Sequence, residues 1–379
     1  MNSQEYLRRK AALLEQGPVG AEADLARLQA GPGLWLAGDT VLEQAGPALE
    51  ALGSPLLPVG EAFLLARVLP RLKPGSPALL EPLEFPSGGE CCRETVERIS
   101  AAARERRAGA LLALGGGKCL DACKLAGQLA GLPVATVPTS AATCACATPI
   151  AALYSARGEF LEVRDLSSPP AACLVDFTLL ASAPPRLLKA GMADTLAKWL
   201  ELEPLRAGQP AAFGDGLGLS LARQAYDRVL AWGPSAPSAP GPEWRDLVEA
   251  NLLLSGLASC LGGSLAAAAH SFCNGFSLLP GLKGWLHGEL VAVGLLAQDR
   301  LLEMLGLPLP GVSSATQRRF QWRSLGFPDR LPGGKVDPAV LEEVGRKILD
   351  PGETIHLLPG AGALEESRIL EILSGLISA

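Results

Sequence analysis

The chain has 379 residues, of which 48% are hydrophobic and 19% charged. This composition is typical of a folded globular protein and excludes an intrinsically disordered chain. At about 100–200 residues per domain, the length predicts two domains. The 33 Lys and Arg residues and 39 Asp and Glu residues give a net charge of −6. Nucleic acid is therefore not expected as a partner, because an acidic protein repels the phosphate backbone.

Three features favour a cytoplasmic protein without a membrane partner. The opening MNSQEYLRRKAALLEQ is polar and charged, whereas a secretory signal needs an apolar core. The most apolar long stretch, LLLSGLASCLGGSLAAAA at 252–269, lacks a basic flank and is interpreted as a buried core helix. The nine cysteines, an odd number without C-x-x-C zinc spacing, fit a reducing compartment.

In the first half of the chain, short apolar runs alternate with helical patterns. The runs lie at residues 34–38, 54–60, 110–117, 133–139 and 171–176. Such alternation predicts βαβ units, and hence a parallel sheet covered by helices. The first 30 residues have the pattern of an amphipathic helical extension.

The strand pattern ends at Pro184 and Pro185. From there, Leu- and Ala-rich segments at helical spacing continue to the end of the chain, which predicts an all-helical second domain. The predicted domains are an α/β domain over residues 1–180 and a helical domain over residues 181–379.

One glycine-rich loop stands out, in LLALGGGKCLDACK at 111–124. Three glycines after a strand let the backbone turn tightly, and the helix that follows points its positive end at the loop. This pattern indicates a cradle for a diphosphate. The loop is not a P-loop, because Cys119 replaces the Mg-binding Ser or Thr, and it does not match G-x-G-x-x-G. A merely structural turn is the alternative.

A metal site is the second candidate feature. Asp194 lies in AGMADTLAKW, and His270 and His287 lie in the segment 266–292. The two histidines are separated by roughly 25 Å along a straight helix, but the turn LLPGLKG between them folds the second helix back. One carboxylate and two imidazoles suit a divalent metal with an open position for substrate. The alternative is that both histidines are structural residues of the core, with their ring nitrogens hydrogen-bonded within the protein.

Several ordered motifs resemble one known family. They are GGECCRETVERI (88–99), the GGGK loop, GMADTLAKW, AAAAHSFCNG, HGELVA and ETIHLLP (353–359). Together they resemble the glycerol dehydrogenases of the iron-containing alcohol dehydrogenase and dehydroquinate-synthase-like superfamily, over almost the whole chain from about residue 33. The resemblance implies an N-terminal α/β nucleotide domain, a helical metal- and substrate-binding domain, and an active site between them.

The resemblance also implies a function and its residues. The activity would be hydride transfer between NAD(P) and a small secondary alcohol, in a homo-oligomer. Asp194, His270 and His287 would bind a divalent metal, with zinc expected and iron as the alternative. The dinucleotide would be held by Gly115, Gly116, Gly117, Lys118 and Asp121, and its nicotinamide side would be lined by Thr139, Ala142, Thr148, Ile150 and Tyr154.

The chain departs from the family pattern at four positions. Cys144 replaces an aspartate of the glycerol dehydrogenases, and Lys198 stands where iron-type relatives have a further histidine ligand. Cys273 replaces a second histidine, and Gly60 stands where an aspartate often follows the second strand. Without that aspartate, NADPH is expected to be tolerated alongside NADH.

The first two departures resemble a branch described as 2-hydroxycarboxylate dehydrogenases. Cys144 removes a negative charge and Lys198 adds a positive one, so a 2-hydroxy acid or 2-oxoacid is the expected substrate. Glycerol or another polyol is the alternative. A dehydroquinate-synthase-type lyase and a non-catalytic binding protein are disfavoured, the former because no cluster of basic residues accompanies His270. His356 is either a cleft residue or a structural one.

Overall fold

The computed structural model describes residues 31–72, 76–206, 213–233, 240–261, 266–282, 284–332 and 336–377. The predicted N-terminal extension lies outside them. The strands are β1 (Trp35–Gly38), β2 (Leu56–Gly60), β3 (Leu83–Glu84), β4 (Ala110–Gly115), β5 (Val134–Pro138), β6 (Ile150–Tyr154), β7 (Phe160–Asp165) and β8 (Ala172–Asp176).

Six of these strands form a parallel sheet in the order β1-β8-β5-β4-β2-β3. The five predicted strand runs are therefore confirmed, and within this sheet only the two-residue edge strand β3 was not predicted. Every residue of β2, β4, β5 and β8 is buried, as expected for a sheet covered on both faces. The register pairs Gly60 with Leu114 and Gly115 with Pro138, so β2, β4 and β5 end side by side.

The helices have the following bounds. They are α1 (Val41–Gln44), α2 (Gly46–Glu50), α3 (Ala62–Val68), α4 (Arg93–Glu105), α5 (Gly117–Ala130), α6 (Phe177–Leu180), α7 (Pro185–Arg206), α8 (Phe213–Trp232), α9 (Pro242–Glu249), α10 (Ser255–Leu261), α11 (Ala268–Phe276), α12 (His287–Met304), α13 (Ala315–Leu325), α14 (Pro338–Ile348) and α15 (Glu366–Leu376). A π-helical turn, Ala250–Leu254, joins α9 to α10. From Pro185 onward the described residues form helices and no named strand, so the predicted helical second half is confirmed.

The antiparallel hairpin of β6 and β7 was not predicted. Burial alternates along β6, which is the pattern of a half-buried strand. The tight connection contains Gly158 at φ +89°, a conformation that favours glycine. The apolar stretch 252–269 was predicted as one core helix, but its described part is divided between the π-helical turn, α10 and the start of α11.

The chain divides into two compact units. The sheet unit comprises the described residues of 29–188 and 237–260, and the helical unit comprises those of 189–236 and 261–379. In the sheet unit, α1 to α3 pack Leu42, Leu49 and Leu65 into a core with Leu112 and Leu174. No helix among the described residues is both long and apolar enough to cross a bilayer.

The segment 237–260 joins the sheet unit, whereas the predicted domain 181–379 includes it. Trp244 on α9 packs edge-to-face on Phe177 with ring centroids 6.2 Å apart. Arg245 forms a salt bridge of 2.9 Å with Asp39, and the buried amide of Asn251 donates to the Ala141 carbonyl at 3.0 Å. These contacts link residues far apart in sequence, so helical periodicity alone does not predict them.

Candidate active site

The glycine loop connects the end of β4 to the start of α5. Gly116 is the N-cap of α5, with φ −82° and ψ −179°. A glycine N-cap has no side chain to accept hydrogen bonds from the first-turn N–H groups, so these groups and the positive end of the helix dipole remain available to an anion.

The three glycines are required for different reasons. A Cβ at Gly115 would meet Cys119 at 2.8 Å, and a Cβ at Gly117 would meet the Thr143 hydroxyl at 2.9 Å. At Gly116, by contrast, the nearest atom is the Ser140 hydroxyl at 4.0 Å. Protein packing therefore explains the first and third glycines, whereas the middle one faces open space. An anion that approaches the backbone N–H groups would use that space, so the cradle fits a diphosphate.

The two charged residues predicted to bind the dinucleotide have different surroundings. Lys118 is 53% exposed and forms an ion pair with Glu90 at the mouth of the loop. Asp121 is buried, accepts the Ala152 N–H at 3.0 Å and forms a salt bridge of 2.8 Å with Lys124. Burial raises the pKa of Asp121, and the positive charge of Lys124 opposes that rise. Asp121 therefore holds the start of the β6–β7 hairpin.

Lys124 is a site residue that the sequence analysis missed. Its ammonium group is buried and donates to the carbonyls of Thr148, at 3.1 Å, and Ile150. It thereby fixes the backbone of two residues predicted to line the nicotinamide side. A lysine three residues after Asp121, among apolar neighbours on the same helix, was the available signal.

The remaining predicted cofactor residues lie in the sheet unit, along the chain that follows β5. The Thr139 N–H donates to the Gly115 carbonyl at 3.1 Å, so the loop after β5 is bonded to the glycine loop. Ala142 is half-buried. Tyr154 ends β6 and packs edge-to-face on Phe160 at 5.8 Å. Cys144 is buried with 7% of its surface exposed. Their contacts with a cofactor remain predictions.

The end of β2 gives a new interpretation of Gly60. A Cβ at Gly60 would lie 2.6 Å from the Leu114 carbonyl oxygen of the neighbouring strand, so strand packing requires glycine at this position. The next residue, Glu61, is the N-cap of α3. Because Gly60 pairs with Leu114, this carboxylate follows β2 directly beside the strand that leads into the glycine loop.

In the helical unit, three helices bring together the predicted metal ligands. Asp194 lies on α7, His270 on α11, and His287 is the first residue of α12. Their candidate ligand atoms all lie within 4.8 Å of one another. The Asp194 Oδ1 atom is 3.5 Å from His270 Nε2 and 3.8 Å from His287 Nε2. The predicted return of α12 beside α11 is confirmed by a distance of 5.5 Å between the two imidazole centroids.

Glu201 orients His270 and was missed by the sequence analysis. One of its oxygens lies 2.5 Å from His270 Nδ1, and the other accepts the backbone N–H groups of His270 and Ala267 at 3.0 and 2.8 Å. With Nδ1 engaged, Nε2 is directed at Asp194, an arrangement that recurs in carboxylate–histidine–metal sites. The position of Glu201, seven residues after Asp194 on the same helix, was the feature of the sequence that could have indicated this role.

The charges at this site indicate that it suits a cation. Burial raises the pKa of Asp194, but the positive charge of Lys198 and the adjacent His270 outweigh it and hold that pKa below its usual range. Burial disfavours a charged His270, but Glu201 and Asp194 raise its pKa to about 9. Burial lowers the pKa of His287 to about 4, against the attraction of Asp194.

The residues present fit a divalent metal. The Asp194 Oδ1 atom is buried and has no hydrogen-bond partner among the described residues. The Lys198 ammonium, at 3.8 Å, is too far away to donate a hydrogen bond to this oxygen. A buried carboxylate oxygen without a direct partner is costly, and a bound metal ion would supply that partner. One carboxylate and two imidazoles form a ligand set that zinc and other divalent metals accept, with room left for a substrate atom.

Lys198 lies at this cluster. Its ammonium nitrogen is 3.8 Å from Asp194 Oδ1, and its side chain is 15% exposed. The Cys273 sulfur lies 3.6 Å from His287 Nδ1. His356, by contrast, is exposed and contacts the Leu349 carbonyl at 3.1 Å, outside the three-residue cluster.

Comparisons with known proteins identify the family of this chain. Residues 32–177 match the sequence model of the family described as iron-containing alcohol dehydrogenase. A glycerol dehydrogenase from Escherichia coli O6:H1 (strain CFT073) is 31% identical over 353 residues, 90% of this chain and 94% of that protein. The chain belongs to the iron-containing alcohol dehydrogenase family. Its activity is therefore that of an alcohol oxidoreductase, which displaces the lyase and non-catalytic alternatives.

Two further comparisons show which members of the family this chain is similar to. Hydroxycarboxylate dehydrogenase A from Escherichia coli K12 is 33% identical over 283 residues, 72% of this chain and 76% of that protein. The crystal structure of a probable glycerol dehydrogenase from Sinorhizobium meliloti 1021 has a TM-score of 0.80 at 28% identity, covering 93% of this chain and 98% of that one. The resemblance to the glycerol dehydrogenases is confirmed, as is the fold.

In this iron-containing alcohol dehydrogenase, Glu201→Gln is expected to weaken metal binding about 10- to 100-fold at pH 9.5, because orienting carboxylates contribute that much to metal affinity. Below pH 9 the difference in metal affinity between the wild type and Glu201→Gln should become smaller. The wild-type His270, with a pKa of about 9, must first lose a proton, so wild-type affinity falls as the pH decreases. The variant loses the charge that raises this pKa, so its affinity depends less on pH.

The measurement is competition between metal-stripped protein and a chelator for Zn²⁺ at pH 7 to 10. Glu203→Gln is the matched control, since it removes the same charge from the same helix. Identical pH dependence in the wild type and Glu201→Gln would contradict the assigned role of Glu201.

Proposed function

We propose that this chain is a metal-dependent, NAD-linked dehydrogenase of a small polyol, with glycerol as the first candidate. The observation that carries the proposal is the cluster of Asp194, His270 and His287 around a buried carboxylate oxygen without a hydrogen-bond partner among the described residues. The relatives support a polyol more than the 2-hydroxy acid expected from the sequence, because glycerol dehydrogenases match over most of the chain.

The protein's own contribution to the metal site is charge and orientation. A divalent metal, with zinc as the expected ion, would supply a Lewis acid that lowers the pKa of an alcohol. Asp194 supplies the negative charge, and His287 is already neutral at pH 7 because burial disfavours its proton. Glu201 holds the His270 ring in position. No protein nucleophile is required for hydride transfer.

A nicotinamide dinucleotide fits the glycine loop, where Gly116 leaves space at the helix N-terminus. We propose NAD rather than NADP as the preferred form. Glu61 follows β2, next to the strand that leads into the loop, and an acid at this position accepts the ribose hydroxyls and repels a 2′-phosphate.

A second candidate substrate class is the 2-hydroxy acids. Lys198 is a largely buried cation, 3.8 Å from a predicted metal ligand, and so could attract a carboxylate. A charge pair at 4 Å and an effective dielectric constant near 20 is worth about 4 kcal/mol before desolvation. The aspartate of glycerol dehydrogenases is also absent, because Cys144 replaces it.

A substrate comparison separates the two candidates. We expect NAD⁺-dependent oxidation of glycerol to have a higher kcat/KM than oxidation of 2-hydroxybutanoate. Lys198→Ala should lower kcat/KM for the acid about tenfold or more relative to glycerol, since only the acid loses an attractive charge. Lys189→Ala on the same helix is the matched control. A clear preference of the wild-type protein for the acid, lost in Lys198→Ala, would replace the polyol proposal with the second candidate.

The proposed setting is a homo-oligomer in the cytoplasm that acts on a small molecule. All nine cysteines are free thiols, which supports a reducing compartment. The position of the active site between the two predicted domains also remains a prediction.

A further inference from the structure

Glu90 and Lys118 form an ion pair at the mouth of the glycine loop. Lys118 is the second residue of α5 and is about half exposed, whereas the Glu90 side chain is 15% exposed. Glu90 belongs to the motif GGECC, to which the proposed function gives no role.

Several contacts fix Glu90 in place. The carbonyl of the next residue, Cys91, accepts the Tyr154 N–H at 2.9 Å. On the other side, a Cβ at Gly158 would lie 3.4 Å from Glu90 Oε1, so the β6–β7 turn closely approaches the carboxylate. The second oxygen, Oε2, is buried and has no hydrogen-bond partner among the described residues. The carboxylate is therefore a fixed negative charge beside the loop.

Of the two lysines on α5, Lys118 is the one with an exposed side chain. The other lysine of the segment, Lys124, is buried and bonded to Asp121 and to the Thr148 carbonyl. Releasing it would leave buried polar groups unpaired, which is costly. A diphosphate at the loop that engages a lysine of α5 would therefore draw Lys118 from its pair with Glu90.

We propose that Glu90 is a positioning residue that weakens dinucleotide binding by competing with the diphosphate for Lys118. The proposal rests on the proposed function, in which this loop holds the diphosphate. When the cofactor leaves, Lys118 returns to Glu90, so the charge lost on dissociation is replaced at once. Such competition accelerates cofactor release, a step that limits turnover in many enzymes.

A double-mutant cycle tests the proposal. The dissociation constant of NADH is measured by fluorescence for the wild type, Glu90→Gln, Lys118→Met and the double variant. We expect Glu90→Gln to tighten binding about tenfold and Lys118→Met to weaken it about tenfold. In the Lys118→Met background, Glu90→Gln should change binding by no more than about twofold, because the competition no longer exists.

A control variant and a second substitution of Glu90 accompany the cycle. Glu97→Gln removes an exposed acid on α4 and should leave NADH binding unchanged, while Glu90→Ala gives a second test if the glutamine variant folds poorly. The inference is overturned if Glu90→Gln weakens binding or leaves it unchanged, or if it tightens binding equally in both backgrounds. If Lys118→Met leaves binding unchanged, the inference fails, whereas the loop assignment in the proposed function is tested separately by Gly116→Val.

Discussion

Replacing His270 with alanine is expected to remove the bound metal and to lower kcat/KM at least about 1000-fold. His270 supplies one of three candidate ligand atoms within 4.8 Å of one another. Without it, a carboxylate and one imidazole remain, too few for a stable site. Loss of metal chemistry worth several kcal/mol corresponds to this factor. Elemental analysis of the purified variant and steady-state kinetics give the two measurements.

His356→Ala is the matched control, because it removes the third histidine of the chain. That side chain is exposed, and its Nε2 atom lies 3.1 Å from the Leu349 carbonyl, away from the three-residue cluster. Both metal content and kcat/KM should therefore stay within about twofold of the wild type. Full metal occupancy with unchanged turnover in His270→Ala would refute the ligand assignment, whatever the control shows.

The parallel sheet was predictable because its signal is local. Runs such as 110–115 and 134–138 are continuously apolar, and each is buried along its full length. The hairpin of β6 and β7 has a weaker signal, since β6 is only half-buried and lies among small residues. The location of 237–260 depends on long-range contacts such as Arg245 with Asp39. Periodicity within a helix does not identify the unit on which that helix packs.

The metal cluster was predictable for a different reason. The chain has only three histidines, so few combinations with an acid were available, and the turn before His287 placed two of them together. Glu201 was missed because acids are frequent on helices, and its contact with His270 joins residues 69 positions apart. The family resemblance assigned Asp121 to the dinucleotide, which stays a prediction. The sequence did not predict that the fold buries its carboxylate against Lys124 and the start of the hairpin.

The second large effect is expected from Gly116→Val, which should weaken NADH binding at least about 100-fold while leaving the metal in place. The backbone at Gly116, with φ −82° and ψ −179°, is an extended conformation open to any residue. A Cβ there would have the Ser140 hydroxyl as its nearest neighbour, at 4.0 Å. The protein can therefore accommodate a side chain at this position without backbone strain.

The effect must then arise from the ligand. A branched side chain at Gly116 would occupy the space through which a diphosphate approaches the N–H groups of α5. Gly116→Ala, with a single methyl group, should have a smaller effect of about tenfold, so the loss should increase with side-chain size. Gly375→Val, at an open position on α15, controls for the introduction of valine at a glycine. Fluorescence titration with NADH, thermal unfolding and metal analysis of all three variants complete the test. Wild-type NADH affinity in a folded, metal-loaded Gly116→Val protein would show that the diphosphate does not bind at this loop.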